Sequence, residues 1–151
     1  MRMNPYLTFD GQCETAFKFY EQCLGGKIQC MLPHEGTPAA EQVPAAWRNK
    51  IMHATLVVGD QVLQGSDALP DHYQKPQGFS LTLAIKDPTE AERIFRELAA
   101  DGTVQVPMQE TFWAVRFGMA VDRFGIPWMI NCGKAPELNE VQLAAGTESE
   151  A

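Results

Sequence analysis

The sequence predicts an α+β fold assembled from two βαβββ modules, and three observations carry that expectation. From Trp113 to Val121 the odd positions are Trp, Val, Phe, Met and Val and the even ones Ala, Arg, Gly and Ala, the two-residue period of a β-strand. Two segments, one after Asp10-Gly11 and one after Asp87-Pro88, carry apolar residues at helical spacing and run into glycine. Phe17, Tyr20 and Leu24 of the first segment correspond to Ala91, Ile94 and Leu98 of the second at one constant offset, so the halves repeat in pattern with little shared identity.

In chain order, Met3 to Phe9 reads as a short strand and Glu14 to Gly26 as a helix that buries Phe17, Tyr20 and Leu24 and stops at the glycine pair. Ile28 to Leu32 reads as a strand, and Pro33 to Lys50, with its three prolines, as a long loop. Ile51 to Val58 resumes as a strand and turns at Gly59-Asp60 into Gln61 to Gln64. After a second loop, Ser66 to Gln77, the order repeats with a strand over Gly78 to Ile85. Asp87-Pro88-Thr89-Glu90 is a helix start, with Asp as cap, Pro at the first helical position and Glu three residues after the cap. Ala91, Ile94, Phe95 and Leu98 make its buried stripe, and Gly102 is expected to end it.

Val104 to Met108, Trp113 to Val121 and Ile126 to Cys132 supply three further strands. The last two form a hairpin through Asp122 to Gly125, where Asp suits the first turn position and Gly the fourth. The bulky face of the Trp113 strand is expected to pack on a core, leaving the small face around Arg116 as a cavity wall. The modules run from about residue 3 to 65 and 78 to 132 within one domain of residues 1–133. Residues 134–151 are acidic, Ala-rich and weakly patterned, as expected of a tail.

The composition narrows the function classes. At 151 residues, 45% hydrophobic and 21% charged, the chain has the make-up of a soluble globular protein. A net charge of -7 without a Lys/Arg cluster argues against nucleic-acid binding, which needs a basic surface. No segment has the roughly 18 apolar residues of a membrane span, and the first residues lack the apolar run of a signal peptide, so a cytoplasmic protein with no membrane partner is expected. Cys13, Cys23, Cys30 and Cys132 form no CxxC pair and read as small hydrophobes or bystander thiols.

Tyr6-Leu7-Thr8-Phe9-Asp10-Gly11, Ala16-x-x-Phe19-Tyr20, Leu24-Gly25-Gly26, His53-Ala54, Phe112-Trp113, Phe117-Gly118 and Asp122-x-Phe124-Gly125-x-x-Trp128 together resemble the vicinal oxygen chelate superfamily, which contains glyoxalase I, extradiol dioxygenases and bleomycin-resistance proteins. Within it they resemble the PhnB-like branch, also labelled 3-demethylubiquinone-9 3-methyltransferase-like. The methyltransferase label finds no strand, Gly-rich loop and helix that would hold a nucleotide-like cofactor. The resemblance implies paired modules whose curved mixed sheet forms an open cup, a homodimer that covers open sheet edges, and, in catalytic members, a divalent metal held by four strand residues. Laid on this chain, the glyoxalase I pattern puts those four at Pro5, His53, Ser80 and Met129, with Tyr6 replacing Pro5 if the first strand slips by one. Only His53 is an ordinary ligand, so no cofactor is expected and a divalent metal is disfavoured.

Alternation then places the cup candidates. His53 and Thr55 share one face, Ser80 and Thr82 another, and Asn131 stands beside Met129; Arg116 and Trp113 complete the set of ligand-binding candidates. Each has a plainer role as well. His53 can be a polar residue satisfied by a neighbour or water, Arg116 can pair with an acid such as Glu110 or Asp122, and Trp113 can anchor a core or an interface. His34 and His72, in the long loops, could supply ligands that the strands lack. The expected function is a PhnB-like protein that binds a small polar or anionic molecule in the cup. Alternatives are a metal-dependent lyase, isomerase or dioxygenase using His53, or a resistance protein that sequesters a drug. Catalytic residues are unassigned.

Overall fold

The computed structural model describes residues 1–134, so all but the first residue of the expected acidic tail lies outside the described residues. The chain divides into two compact units, Met1–Pro76 and a second that begins at Gln77. Among the described residues each carries one α-helix and one four-stranded sheet, the α+β architecture expected from the repeat.

Unit 1 consists of β1 (Tyr6–Phe9), α1 (Cys13–Leu24), β2 (Lys27–Pro33), β3 (Ile51–Val58) and β4 (Gln61–Asp67), with strand order β1-β4-β3-β2. β1 runs parallel to β4, while β3 is antiparallel to both β2 and β4. Cys13, Ala16, Phe17, Tyr20 and Cys23 are the buried stripe of α1. The sheet meets it with Leu7, Phe9, Ala54, Leu56 and Leu63, all buried; each large apolar side chain so enclosed contributes about 1.5–3 kcal/mol. Helix and sheet approach so closely at Gly65 that a Cβ there would lie 2.8 Å from both Leu7 O and Phe17 Cε2. Gly25 stops the helix in a left-handed conformation, φ 72°, donating its N–H to Glu21 O at 3.1 Å.

β4 is longer than expected. It continues past Gln64 to Asp67, because Gly65 and Asp67 keep the inward alternation while Gln64 and Ser66 keep the outward one. Asp67 is buried at its end, and its carboxylate accepts the Cys13 N–H at 2.9 Å and the Ile51 N–H at 2.8 Å. One side chain thereby fastens the start of α1 and the start of β3 to β4. The loop after Pro33 is not featureless: it contains 3-10 turns at Pro38–Gln42 and Ala45–Trp47.

Unit 2 consists of β5 (Leu81–Ala84), α2 (Pro88–Ala99), β6 (Thr103–Gln109), β7 (Ala114–Val121) and β8 (Pro127–Gly133), in the order β5-β8-β7-β6. The pairing directions repeat those of unit 1, with β5 parallel to β8. Asp87 caps α2 by accepting the Thr89 N–H at 3.0 Å, with Pro88 at the first helical position, and Ala91, Ile94, Phe95 and Leu98 are its buried residues. The end of α2 differs from the expectation: the helix stops at Ala99, and the left-handed residue is Asp101, φ 59°, rather than Gly102. The strand expected from Gly78 shortens to begin at Leu81.

The expected faces of β7 are reversed. Arg116, Gly118 and Ala120 pair with Cys132, Ile130 and Trp128, the buried residues of β8, so the small residues face α2. A Cβ at Gly118 would lie 2.7 Å from Met108 Sδ and 2.8 Å from Phe95 Cε2. Small residues are what let the helix and Met108 approach the sheet, whereas Phe117 and Met119 stand half-buried on the face that α2 leaves free. The hairpin turn is as expected: Gly125, φ 89°, donates to Asp122 O at 3.0 Å. The buried Asp122 carboxylate also accepts the N–H groups of Phe124 at 2.8 Å and Ile126 at 3.0 Å and the Trp128 indole N–H at 2.9 Å.

Among the described residues no helix is long and apolar enough to cross a membrane.

Candidate functional site

Among the described residues, alternation in unit 1 leaves one sheet face without a helix. Across it, Tyr6 of β1, Gln64 of β4, Thr55 of β3 and Cys30 of β2 stand in one row, because Tyr6 pairs with Gln64, Gln64 with Thr55 and Thr55 with Cys30. His53 lies one alternation step along β3 from Thr55, opposite Leu32. Its imidazole is held from both sides: the Tyr6 hydroxyl is 3.3 Å from Nδ1 and the Thr55 hydroxyl 3.2 Å from Nε2. A neutral imidazole donates at one nitrogen and accepts at the other, and a hydroxyl can do either, so the three side chains form a continuous hydrogen-bonded line. The Tyr6 and His53 rings sit 5.8 Å apart. Tyr6 is half exposed, so this line opens to solvent at its β1 end.

The residues named from the sequence fall into three groups. His53 and Thr55 come together as alternation predicts, and Tyr6, considered only as a substitute for Pro5, completes their contact. Pro5 lies just before β1 and offers only its backbone carbonyl, which accepts the Gln64 N–H at 3.1 Å.

Thr82 and Asn131 share the helix-free face of unit 2. Thr82 pairs with Met129 and donates to its Sδ at 3.8 Å, while Asn131 pairs with Ala84 on one side and Phe117 on the other. Trp113 precedes β7, with its ring edge-on to Phe117 at 5.3 Å and to Phe112 at 4.8 Å. Ser80 lies outside β5.

Arg116 stands apart from both groups. It is on the helix side of β7, where Nε meets Glu92 Oε1 of α2 at 3.0 Å and Nη1 donates to Val115 O at 3.2 Å. The expected partners make no ion pair with it: Glu110 pairs with Lys134 at 2.9 Å, which, with a smaller effect of the Arg116 charge, holds its carboxyl below the usual range, and Asp122 organises the hairpin. The cavity wall expected around Arg116 is therefore not formed by it: the guanidinium reaches the acidic surface of α2, and Phe117, Met119, Met129 and Asn131 share the other face of the sheet.

His34 is a clamp in its loop. Its Nδ1 is 3.0 Å from Lys50 O, and a carbonyl only accepts, so Nδ1 carries the proton; the His34 carbonyl takes the Thr37 hydroxyl at 2.6 Å. Lys50 in turn donates to Gly11 O at 3.0 Å with its ammonium 5.9 Å from the Trp47 ring centroid. His72 is exposed in the short turn Pro70–His72.

The donor chemistry does not fit the four-ligand metal site of the glyoxalase I pattern. Of Pro5, His53, Ser80 and Met129 only His53 offers an ordinary ligand atom, and both of its nitrogens face hydroxyls. Among the described residues no group of three or more His, Cys, Asp or Glu side chains is placed to hold a metal ion. Sequence reasoning missed Gln64, Ser66 and Cys30 on the unit 1 face. Continuing the alternation of β4 through Gly65 would have found the first two.

Two repeated βαβββ units, each with its first strand parallel to its last, define a protein of the glyoxalase/bleomycin-resistance fold. That fold is shared with the fosfomycin resistance protein FosX from Listeria monocytogenes at a TM-score of 0.62 and 9% identity, over 91% of this chain and 96% of that one. The chain belongs to the PhnB-like family described as 3-demethylubiquinone-9 3-methyltransferase, which matches residues 1–131. It is 35% identical over 142 residues to Protein YjdN of Escherichia coli (strain K12), covering 89% of this chain and 97% of that protein. The crystal structure of protein PA1353 from Pseudomonas aeruginosa is 47% identical, with a TM-score of 0.81 over 88% of this chain and 98% of that one.

Proposed function

We propose that this chain is a small-molecule-binding protein that holds a small polar ligand on helix-free sheet faces and does so without a catalytic metal. The observation that carries the reading is the imidazole of His53, held between the Tyr6 and Thr55 hydroxyls on an open face. A neutral donor–acceptor line of this kind suits hydroxyl, carbonyl or amide groups. The anionic ligand of the sequence reading loses its cation, because Arg116 is paired with Glu92 on the other side of the unit 2 sheet. The metal-free reading rests on donor chemistry, a single imidazole among four aligned positions. Methyl transfer, as in the family description, gains no support from the β1–α1 and β5–α2 connections, which hold one glycine between them in mixed sheets.

The test is a thermal-denaturation screen of neutral polar metabolites, combined with elemental analysis of the same preparation. At least one compound is expected to raise Tm in a concentration-dependent way, and His53→Ala is expected to remove that shift. Equal stabilisation of wild type and His53→Ala by every active compound overturns the site. One tightly bound divalent ion per chain overturns the metal-free reading.

The same reading makes the chain a homodimer. Among the described residues the edges of β2 and β6 carry no further strand, and Phe112 and Trp113 expose apolar rings. Light scattering at micromolar concentration is expected to give twice the chain mass, and a monomer contradicts the assembly.

A further inference from the structure

We propose that the helix-free face of unit 2 takes a planar aromatic group bearing an N–H donor, with the side-chain carbonyl of Asn131 as its acceptor. This deepens the binding function above and rests on its reading of the helix-free faces. The first observation is Asn131 Oδ1, which has no hydrogen-bond partner among the described residues and lies out of contact with solvent although the residue as a whole is half-buried, so a turn of the amide is what presents it to a guest. Leaving such an acceptor unmet costs about 1–3 kcal/mol, and native proteins seldom carry one without a use for it. Thr82, the hydroxyl nearest in register, gives its proton to Met129 instead.

The second observation is what surrounds that oxygen. Asn131 stands directly opposite Phe117, whose ring is edge-on to Trp113 at 5.3 Å with an interplanar angle of 70°. An aromatic guest can stack on one of these rings while meeting the edge of the other. Met119 and Met129 are opposite each other one step along, and their thioethers adapt to a flat guest. The strand residues paired on this face, from Thr82 and Ala84 through Met129 and Phe117 to Val106, carry no ionisable group, which selects a neutral molecule.

Indole and benzofuran form the discriminating pair, since they share a bicyclic outline and differ in the N–H that Asn131 would accept. Titration of the full chain by calorimetry is expected to show indole binding at least tenfold tighter than benzofuran. A buried acceptor left unmet penalises the analogue that lacks the donor. Asn131→Leu is expected to erase the preference, and Phe117→Ala to weaken both ligands. Equal affinities in wild type, no saturable indole binding, or a preference that survives Asn131→Leu overturns the proposal. The wild-type contrast stands even if the Asn131 variant fails to fold. Equal affinities alongside a Tm shift that still depends on His53 would sink this inference alone. A missing His53 dependence with the indole preference intact would sink only the unit 1 site.

Discussion

Arg116 Nε lies 3.0 Å from Glu92 Oε1, joining β7 to α2 on the side of the sheet away from the open face. Both side chains are more than a third exposed, at 41% and 45%, so solvent screens the pair. Arg116→Ala and Glu92→Gln are each expected to cost less than about 1 kcal/mol. A double-mutant cycle in urea should give a coupling energy within that range, and ligand-induced Tm shifts should be unchanged. A loss of ligand binding in Arg116→Ala would restore the cation to the site.

Gly65→Ala tests the helix–sheet approach. The added Cβ would press on Leu7 O and Phe17 Cε2, both 2.8 Å away, and the backbone oxygen has little freedom to yield. The expected loss is about 1–3 kcal/mol, read from the urea midpoint. Gly133→Ala, whose Cβ would meet nothing within 4 Å, is the control and should stay within about 0.5 kcal/mol of wild type.

Asp122→Ala removes the acceptor of two backbone N–H groups and of the buried Trp128 indole. Leaving these donors unmet is expected to destabilise the protein by about 3 kcal/mol or more. Trp128 fluorescence should change in the folded variant, and Asp122→Asn, which keeps an oxygen acceptor, should recover part of the loss.

Cys13 opens α1, a position that ordinarily favours a thiolate, yet burial, helped by the charges of Asp67 and Glu14, pushes its thiol well above the ordinary 9.0. The folded state therefore keeps the proton while the unfolded chain releases it from about pH 9 upward. Stability from this source is complete below that pH and declines above it. Cys13→Ala should flatten the alkaline limb of a plot of unfolding free energy against pH. In the native protein a thiol reagent should modify half-buried Cys30 before Cys13.

The fold is legible in the sequence where chemistry is local. Asp87-Pro88 marks the start of α2 because cap and proline act within one turn, and Asp122 to Gly125 marks the hairpin for the same reason. His53 and Thr55 share a face through alternation alone. Alternation separates two faces but does not say which one a helix will cover, so it leaves the orientation of β7 open. Bulk at the odd positions looked like core, whereas α2 needed the small residues to come close. The Tyr6–His53 contact passes through β4, and no local pattern announces a parallel pairing between segments so far apart. Glu92 was missed as the partner of Arg116 for the same reason, since it lies on a helix rather than on the strand's own turn.

The parallel pairing of β1 with β4 sets an order of assembly. As the chain leaves the ribosome at about 5–20 residues per second, Tyr6 emerges ahead of Gln64 and has no strand beside it until Gln64 arrives. The α1 helix and the β2–β3 hairpin can form from neighbours in the chain, whereas the β1 edge must wait through a long loop closure. By this ordering the Tyr6 side of the polar row is among the last parts of unit 1 to take shape during synthesis, after the hydrophobic support beneath it is in place.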